Sequence, residues 1–270
     1  MVLLNFSSLR EPFQILTITL LSLLLPLSFL LLSRFYILHY LLSFNSYPPP
    51  QLSSFLFSFF LYINPSVLCL IVSVVCIATL TNGLTTGKLT FLTESPAGRL
   101  YTAWIFVCTL QVCVGLGIEG AIAAGVEAPG LNMGEISLLS KVIFFFGLHE
   151  TTLHWFRVVV KPVVDDTVFG VAREERWAER VALAASFCSL WWWKLREEVE
   201  FLVVLPEFKR ERLMGVGVAD FVGWWLYYLT VTIGMVRVVK AILWLAILLL
   251  CRRPVRGKSP PASDGDEDNV

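Results

Sequence analysis

An all-α fold, a polytopic bundle of about six transmembrane helices, is the class this sequence predicts, and three observations carry the prediction. Apolar residues fill 56% of the 270 positions while charged ones fill only 16%, against roughly 45–50% and 25% in soluble domains. The mean hydropathy is +0.73. Apolar runs near or above the roughly 20 residues that cross a hydrocarbon core recur along the whole chain. The lipid bilayer is therefore the first expected partner. Lys plus Arg equals Asp plus Glu at 21 each, so no overall basic field favours nucleic acid, and that class is set aside.

The runs define the elements in order. The first span lies near 13–32, between Arg10 and Arg34, and outlasts the roughly 7–15 apolar residues of a signal-peptide core, so a retained helix is expected. Pro48, Pro49 and Pro50 mark a loop. A second span near 54–80 contains Asn64-Pro65, a kink or an interfacial entry, and a polar loop follows to Arg99. The third, near 101–125, repeats Gly117, Ala121 and Gly125 at every fourth position. Such a face lets helix backbones approach closely in lipid, where no hydrophobic force drives helix against helix. Glu119 points away from that face. The fourth, near 136–161, is expected to stop at Pro162, with a charged loop over 163–177. The fifth, near 178–205, is short in apolar residues before Lys194 and carries Trp191, Trp192 and Trp193, an aromatic belt that suggests interface depth. The sixth, near 214–251, is interrupted by Asp220, Arg237 and Lys240, and its length fits either one long helix or a hairpin. Residues 252–270, proline-bearing and acidic, read as a disordered cytoplasmic tail. Lys and Arg are more numerous on the side of the two termini, which the positive-inside rule makes cytoplasmic. The basic stretch 194–212 goes against that bias, and if the fifth element only lies on the membrane the count becomes five.

The fourth span carries the candidate site. Glu150, His154, Arg157 and Lys161 fall within about 60° of one another on a helical wheel, with His149 alongside. Ionisable groups at membrane depth are costly and mark functional sites by default. Arg157 and Lys161, near the helix end, suit snorkelling anchors. One carboxylate faces two permanent cations, so further negative charge is expected from Glu119, Asp220 or Asp165. Two uses of the stripe follow: an ion-pair cluster between helices, or a polar pathway in which histidine and carboxylate relay protons. A metal centre is poorly supplied, because His149-Glu150-Thr151-Thr152-Leu153-His154 is not the H-E-x-x-H of zinc proteases. Histidines five apart diverge by about 140°. No G-x-S-x-G motif supports a serine nucleophile. Asp220, Trp224 and Tyr227 share another helical face, for which packing is the default reading. Most of the cysteines lie inside apolar runs and form no metal-spaced pair. Cys251, beside Arg252 and Arg253, occupies a juxtamembrane setting suited to palmitoylation.

The stretch GLHETTLHWFRVVVKPVVDDTVFG, Gly147 to Gly170, together with the Pro- and Ser-flanked apolar N-terminus, resembles plant-type multi-pass membrane proteins of uncharacterised function. The resemblance implies no activity, cofactor or catalytic residue. The expectation that results is a non-enzymatic scaffold or assembly subunit of an endomembrane or the plasma membrane, with other membrane subunits as partners and no cofactor. The alternatives are a proton-linked transporter or channel using the charged stripe, and, third, an intramembrane metalloenzyme.

Overall fold

A computed structural model describes residues 6–43, 66–85, 96–123, 137–169, 175–211 and 218–251. Every regular element among them is helical, so the chain is an all-α protein. The elements are α1 (Phe6–Ser43), α2 (Ser66–Leu84), α3 (Pro96–Ala123), α4 (138–169), α5 (177–198), α6 (Phe201–Glu211) and α7 (Val218–Cys251). By length and composition four of them can cross a membrane: α1 over Glu11–Leu38, α2 over Ser66–Leu84, α3 over Leu100–Ile118 and α7 over Asp220–Leu250. The six-span expectation is thus corrected to four helices of spanning length and apolarity. α4 and α5 fall outside that set. The sixth run is one helix, with no hairpin, and the expected tail lies outside the described residues.

Pro162 does not end α4, contrary to expectation. Proline lacks the N–H that would reach back to residue 158, and its ring crowds that carbonyl. The helix absorbs both faults by widening just before it: over Phe156–Val160 it takes a π-type turn, with the Lys161 N–H bonding the Phe156 carbonyl. A second π-type turn, Asp165–Phe169, carries it to its end. The 163–177 loop expected from sequence is therefore helical up to Phe169. In α5 the Trp191–Leu195 segment is another such turn, linking Trp177–Leu190 to Arg196–Glu198. Insertions of this kind rotate the following side chains by about one position and are common where a helix has a second task.

Helix directions follow from contacts at constant sequence offset. Glu11 pairs with Arg176 and Ser33 bonds the Glu198 carbonyl, both 165 positions apart, so α1 and α5 run parallel and in register. Gln14 meets Asp165, Leu21 meets Trp155, and Phe29 meets Phe144, so α4 runs antiparallel to α1. Ser140 meets Tyr227 and Glu150 meets Arg237, a shared offset of 87, so α4 and α7 run parallel. The core between them is apolar and closely packed, with Phe29, Phe144, Leu148, Trp155, Phe187 and Leu226 fully buried.

The chain divides into two compact units, Met1–Val238 and Val239–Val270. In the second, the described helical residues are apolar and exposed from Ala241 to Leu250, Trp244 among them.

Candidate functional site

Charge in the first unit is sorted into two layers. One holds Glu11, Arg157, Lys161, Asp165, Glu175, Arg176, Glu179 and Arg180, with the neutral Gln14 amide among them, contributed by the start of α1, the end of α4, and the start of α5 with the segment before it. The other holds Arg34, Lys141, Lys194, Glu198, Glu200, Lys209 and Asp220. Along α1, Gln14 and Arg34 are about 30 Å apart at the helical rise of ~1.5 Å per residue, which is the thickness of a hydrocarbon core.

Within the first layer the stripe finds its partners. Lys161 reaches Glu179 at 3.2 Å, with side-chain exposures of 11% and 1%. Arg157 reaches Glu175 at 3.4 Å, and Arg180 binds the same carboxylate through two nitrogens at 2.6 and 2.9 Å. Burial pushes the Glu175 carboxyl up, but the hydrogen bond from Arg180 and the charges of Arg157 and Arg180 outweigh it and hold the group below the ordinary glutamate range. The buried Gln14 amide donates to Asp165 at 3.1 Å. Burial drives the Asp165 carboxyl above the usual aspartate range, against the opposing pull of Lys161 and of that hydrogen bond.

The second layer is stitched in the same way. Arg34 holds Glu198 with Nε and a terminal nitrogen, at 2.6 and 2.8 Å, the bidentate geometry that makes arginine pairs strong. Lys141 meets Glu200 at 2.5 Å. Lys209 on α6 meets Asp220 on α7 at 2.8 Å, each side chain 6% exposed. Buried charges persist only when paired, and here each carboxylate has its cation.

Between the layers lies one further pair. Glu150 meets Arg237 of α7 at 3.4 Å. Glu150 sits between Phe144 and Trp155, which contact Phe29 and Leu21 of α1, near the middle of the apolar run Glu11–Leu38. One turn before the pair, α4 and α7 cross at Gly147 and Gly234. A Cβ on Gly147 would strike the Thr230 carbonyl and come to 2.9 Å of the Gly234 nitrogen, while one on Gly234 would strike the Ile143 carbonyl. Backbone touches backbone there, and only glycine fits.

The sequence-derived candidates are therefore dispersed. Glu150 goes to α7, Arg157 and Lys161 to α5 and the segment before it, Asp220 to α6. Of the carboxylates expected to neutralise Arg157 and Lys161, Asp165 lies within the field of Lys161 and Asp220 pairs instead with Lys209, while Glu175 and Glu179 make the direct ion pairs. Their proximity in sequence was visible, but the expected loop at 163–177 hid that α5 turns back along α4. His149 packs against Phe145 and Phe187 at 6.4 and 5.5 Å between ring centres. The side chains of Glu119 and Cys251 lie outside the described residues. Among the described residues no group of three His, Cys, Asp or Glu is placed to hold a metal. The small-residue face expected on α3 is described only at Gly117, where an added Cβ would collide with Leu31 of α1; Ala121 and Gly125 lie outside the described side chains. Sequence reading missed the Gly147–Gly234 crossing, whose signal was a glycine within an apolar stretch of each helix. It also missed the role of Arg237, noted only as an interruption.

Comparison with family models, curated proteins and solved structures gave no match. The residues themselves establish an all-α membrane protein whose helices are held in register by inter-helix ion pairs and a glycine crossing.

Proposed function

We propose that this protein is a non-enzymatic, multi-pass scaffold or assembly subunit of a cellular membrane, either an endomembrane or the plasma membrane. The observation that carries the reading is the dispersal of the charged stripe. A relay needs its ionisable groups within hydrogen-bond reach of a common path. Here Glu150 pairs with α7, Arg157 with the segment before α5 and Lys161 with α5, so the charges act as stitches that set which helix lies beside which and in what register. Paired charges between helices are the usual fate of intramembrane ionisable residues, and a single misplaced partner leaves an unpaired charge in lipid. The two charged layers, about 30 Å apart along α1, match the thickness of a hydrocarbon core.

Glu150→Gln tests the reading. It leaves Arg237 without its carboxylate, so a lower yield of folded protein, and of any larger complex on native electrophoresis of solubilised membranes, is expected. Wild-type abundance and migration of the variant would argue against a scaffold. The transporter reading keeps one supporting observation, the position of His149, Glu150 and Arg237 between the two charged layers. Proton flux into dye-loaded vesicles that is lost in Glu150→Gln, with folding intact, would select it.

A further inference from the structure

The exposed rings of the first unit keep to its two charged layers. Among its described residues the exposed tryptophans and tyrosines are Tyr101, Trp177, Trp192, Trp193, Trp224 and Tyr228. Trp177 adjoins Arg176, which pairs with Glu11 in the first layer. Tyr101 belongs to the same level, because α3 packs along residues 156–164 of α4 before Gly117 reaches Leu31 of α1. In the second layer, Trp192 and Trp193 precede Lys194, which reaches Glu198. Trp224 follows Asp220 by one turn, and Tyr228 packs on Tyr227, which meets Ser140 beside Lys141. α5 shows the pattern on a single helix. Its exposed stripe runs Trp177, Val181, Ala185, Cys188, Trp192, in steps of three and four residues, so one face reads indole, aliphatic, small, small, indole. Trp191 instead stacks on Phe144 inside the bundle, while Trp192 and Trp193, in the same π-type turn, stand outside at 76% and 83% exposure. The Arg196 guanidinium lies over the Trp192 ring at 5.3 Å. Indole and phenol join an apolar ring to one polar group, the chemistry favoured where hydrocarbon meets water. From Trp177 to Trp193 the helix advances about 24 Å at ~1.5 Å per residue, close to the ~30 Å of a hydrocarbon core. A protein partner would meet one contiguous patch. These rings sit on three helices and at both layers, a distribution that matches the two faces of a bilayer.

We infer that these rings are two belts of phospholipid contact: Tyr101 and Trp177 lie in the glycerol and carbonyl zone of one leaflet, and Trp192, Trp193, Trp224 and Tyr228 in that of the other. α5, which falls outside the helices of spanning length and apolarity, thereby carries an interfacial anchor at each end. The inference concerns lipid contact and does not depend on the scaffold reading.

The test reconstitutes the full chain into phosphatidylcholine vesicles whose acyl chains carry bromine near the headgroup or near the terminal methyl. The emission lost in the double variant Trp192→Phe, Trp193→Phe, and separately in Trp177→Phe, reports those indoles. It is expected to be quenched about twofold more by the shallow bromines than by the deep ones. A second measurement does not use fluorescence. Trp193→Lys puts a cation where headgroups can receive it and should reach the membrane in wild-type amounts. Ala185→Lys, exposed midway between Trp177 and Trp193, puts the same cation in hydrocarbon and should lower membrane recovery about tenfold. Equal or stronger quenching by the deep bromines, indoles reached only by aqueous acrylamide, or equal recovery of the two lysine variants overturns the inference. So do indoles shielded from both quenchers, which would show a second copy of the chain covering them in place of lipid. None of these results bears on the scaffold reading, which migration of the wild-type protein in native electrophoresis judges.

Discussion

Gly147→Ala is the sharpest perturbation of this fold. A methyl group at residue 147 would lie 2.9 Å from the Gly234 nitrogen and overlap the Thr230 carbonyl oxygen, more than about 1 Å inside the ~3.3 Å approach of carbon to oxygen. Both obstacles are backbone atoms of α7, which no rotamer change can move. The helices must separate by about 1 Å, and a gap of that size forfeits a quarter to a half of each dispersion contact across it. Overpacking of this kind costs about 1–3 kcal/mol, while alanine returns about 1 kcal/mol of helix propensity, so a net loss of about 1 kcal/mol, and up to about 2, is expected. The parallel register of α4 and α7 also positions Glu150 opposite Arg237, so the ion pair should loosen with the crossing. The assay is unfolding in mixed micelles of mild detergent and increasing dodecyl sulfate, followed by tryptophan fluorescence. Gly115→Ala is the internal control, because a Cβ there meets nothing within 4 Å and should be neutral or slightly stabilising. If Gly147→Ala unfolds with the wild-type midpoint, or shifts no further than Gly115→Ala, the crossing of backbones deduced here is wrong.

Three other outcomes follow from the same geometry. Glu179→Gln strands Lys161, whose side chain is 11% exposed; removal of one partner of a buried pair should cost about 3 kcal/mol, read in the same micelle titration, and a loss under about 0.5 kcal/mol would contradict the pairing. Glu175 is held below its ordinary range by Arg180 and Arg157, so its contribution is present above the unfolded glutamate pKa and fades as pH falls through the lowered folded value; the stability difference between wild type and Glu175→Gln should therefore shrink on acidification below about pH 4, and a difference that grows would reverse the sign argued here. Single cysteines at Glu11 and Arg176 should react with an impermeant maleimide from one side of sealed membranes and cysteines at Lys194 and Glu200 from the other, since the two layers lie about 30 Å apart; labelling of all four from one side would dismantle the layer assignment.

Much of this arrangement was legible before any coordinates. Hydropathy is a local property summed along the chain, so the apolar runs that became α1, α2, α3 and α7 announced themselves, as did the polar stripe from Glu150 to Lys161. α4 was visible as a helix but not in its true length. Pro162 reads locally as a stop, whereas a widened turn over Phe156–Val160 removes the clash and lets the helix continue. The site was harder, because a charge pattern gives the face a group occupies and not what stands opposite.

The sequence alone determined that this chain is a helical membrane protein with ionisable groups at depth, because burial in lipid depends on residue composition over about 20 positions. Only the tertiary structure decided which charge answers which. Glu175 and Glu179 lie beside Arg157 and Lys161 because α5 folds back along α4, and Arg237 stands by Glu150 because two glycines let α4 and α7 come into backbone contact. Partners 87 positions apart are set by helix register, and register comes from packing between segments, which no local window of sequence contains.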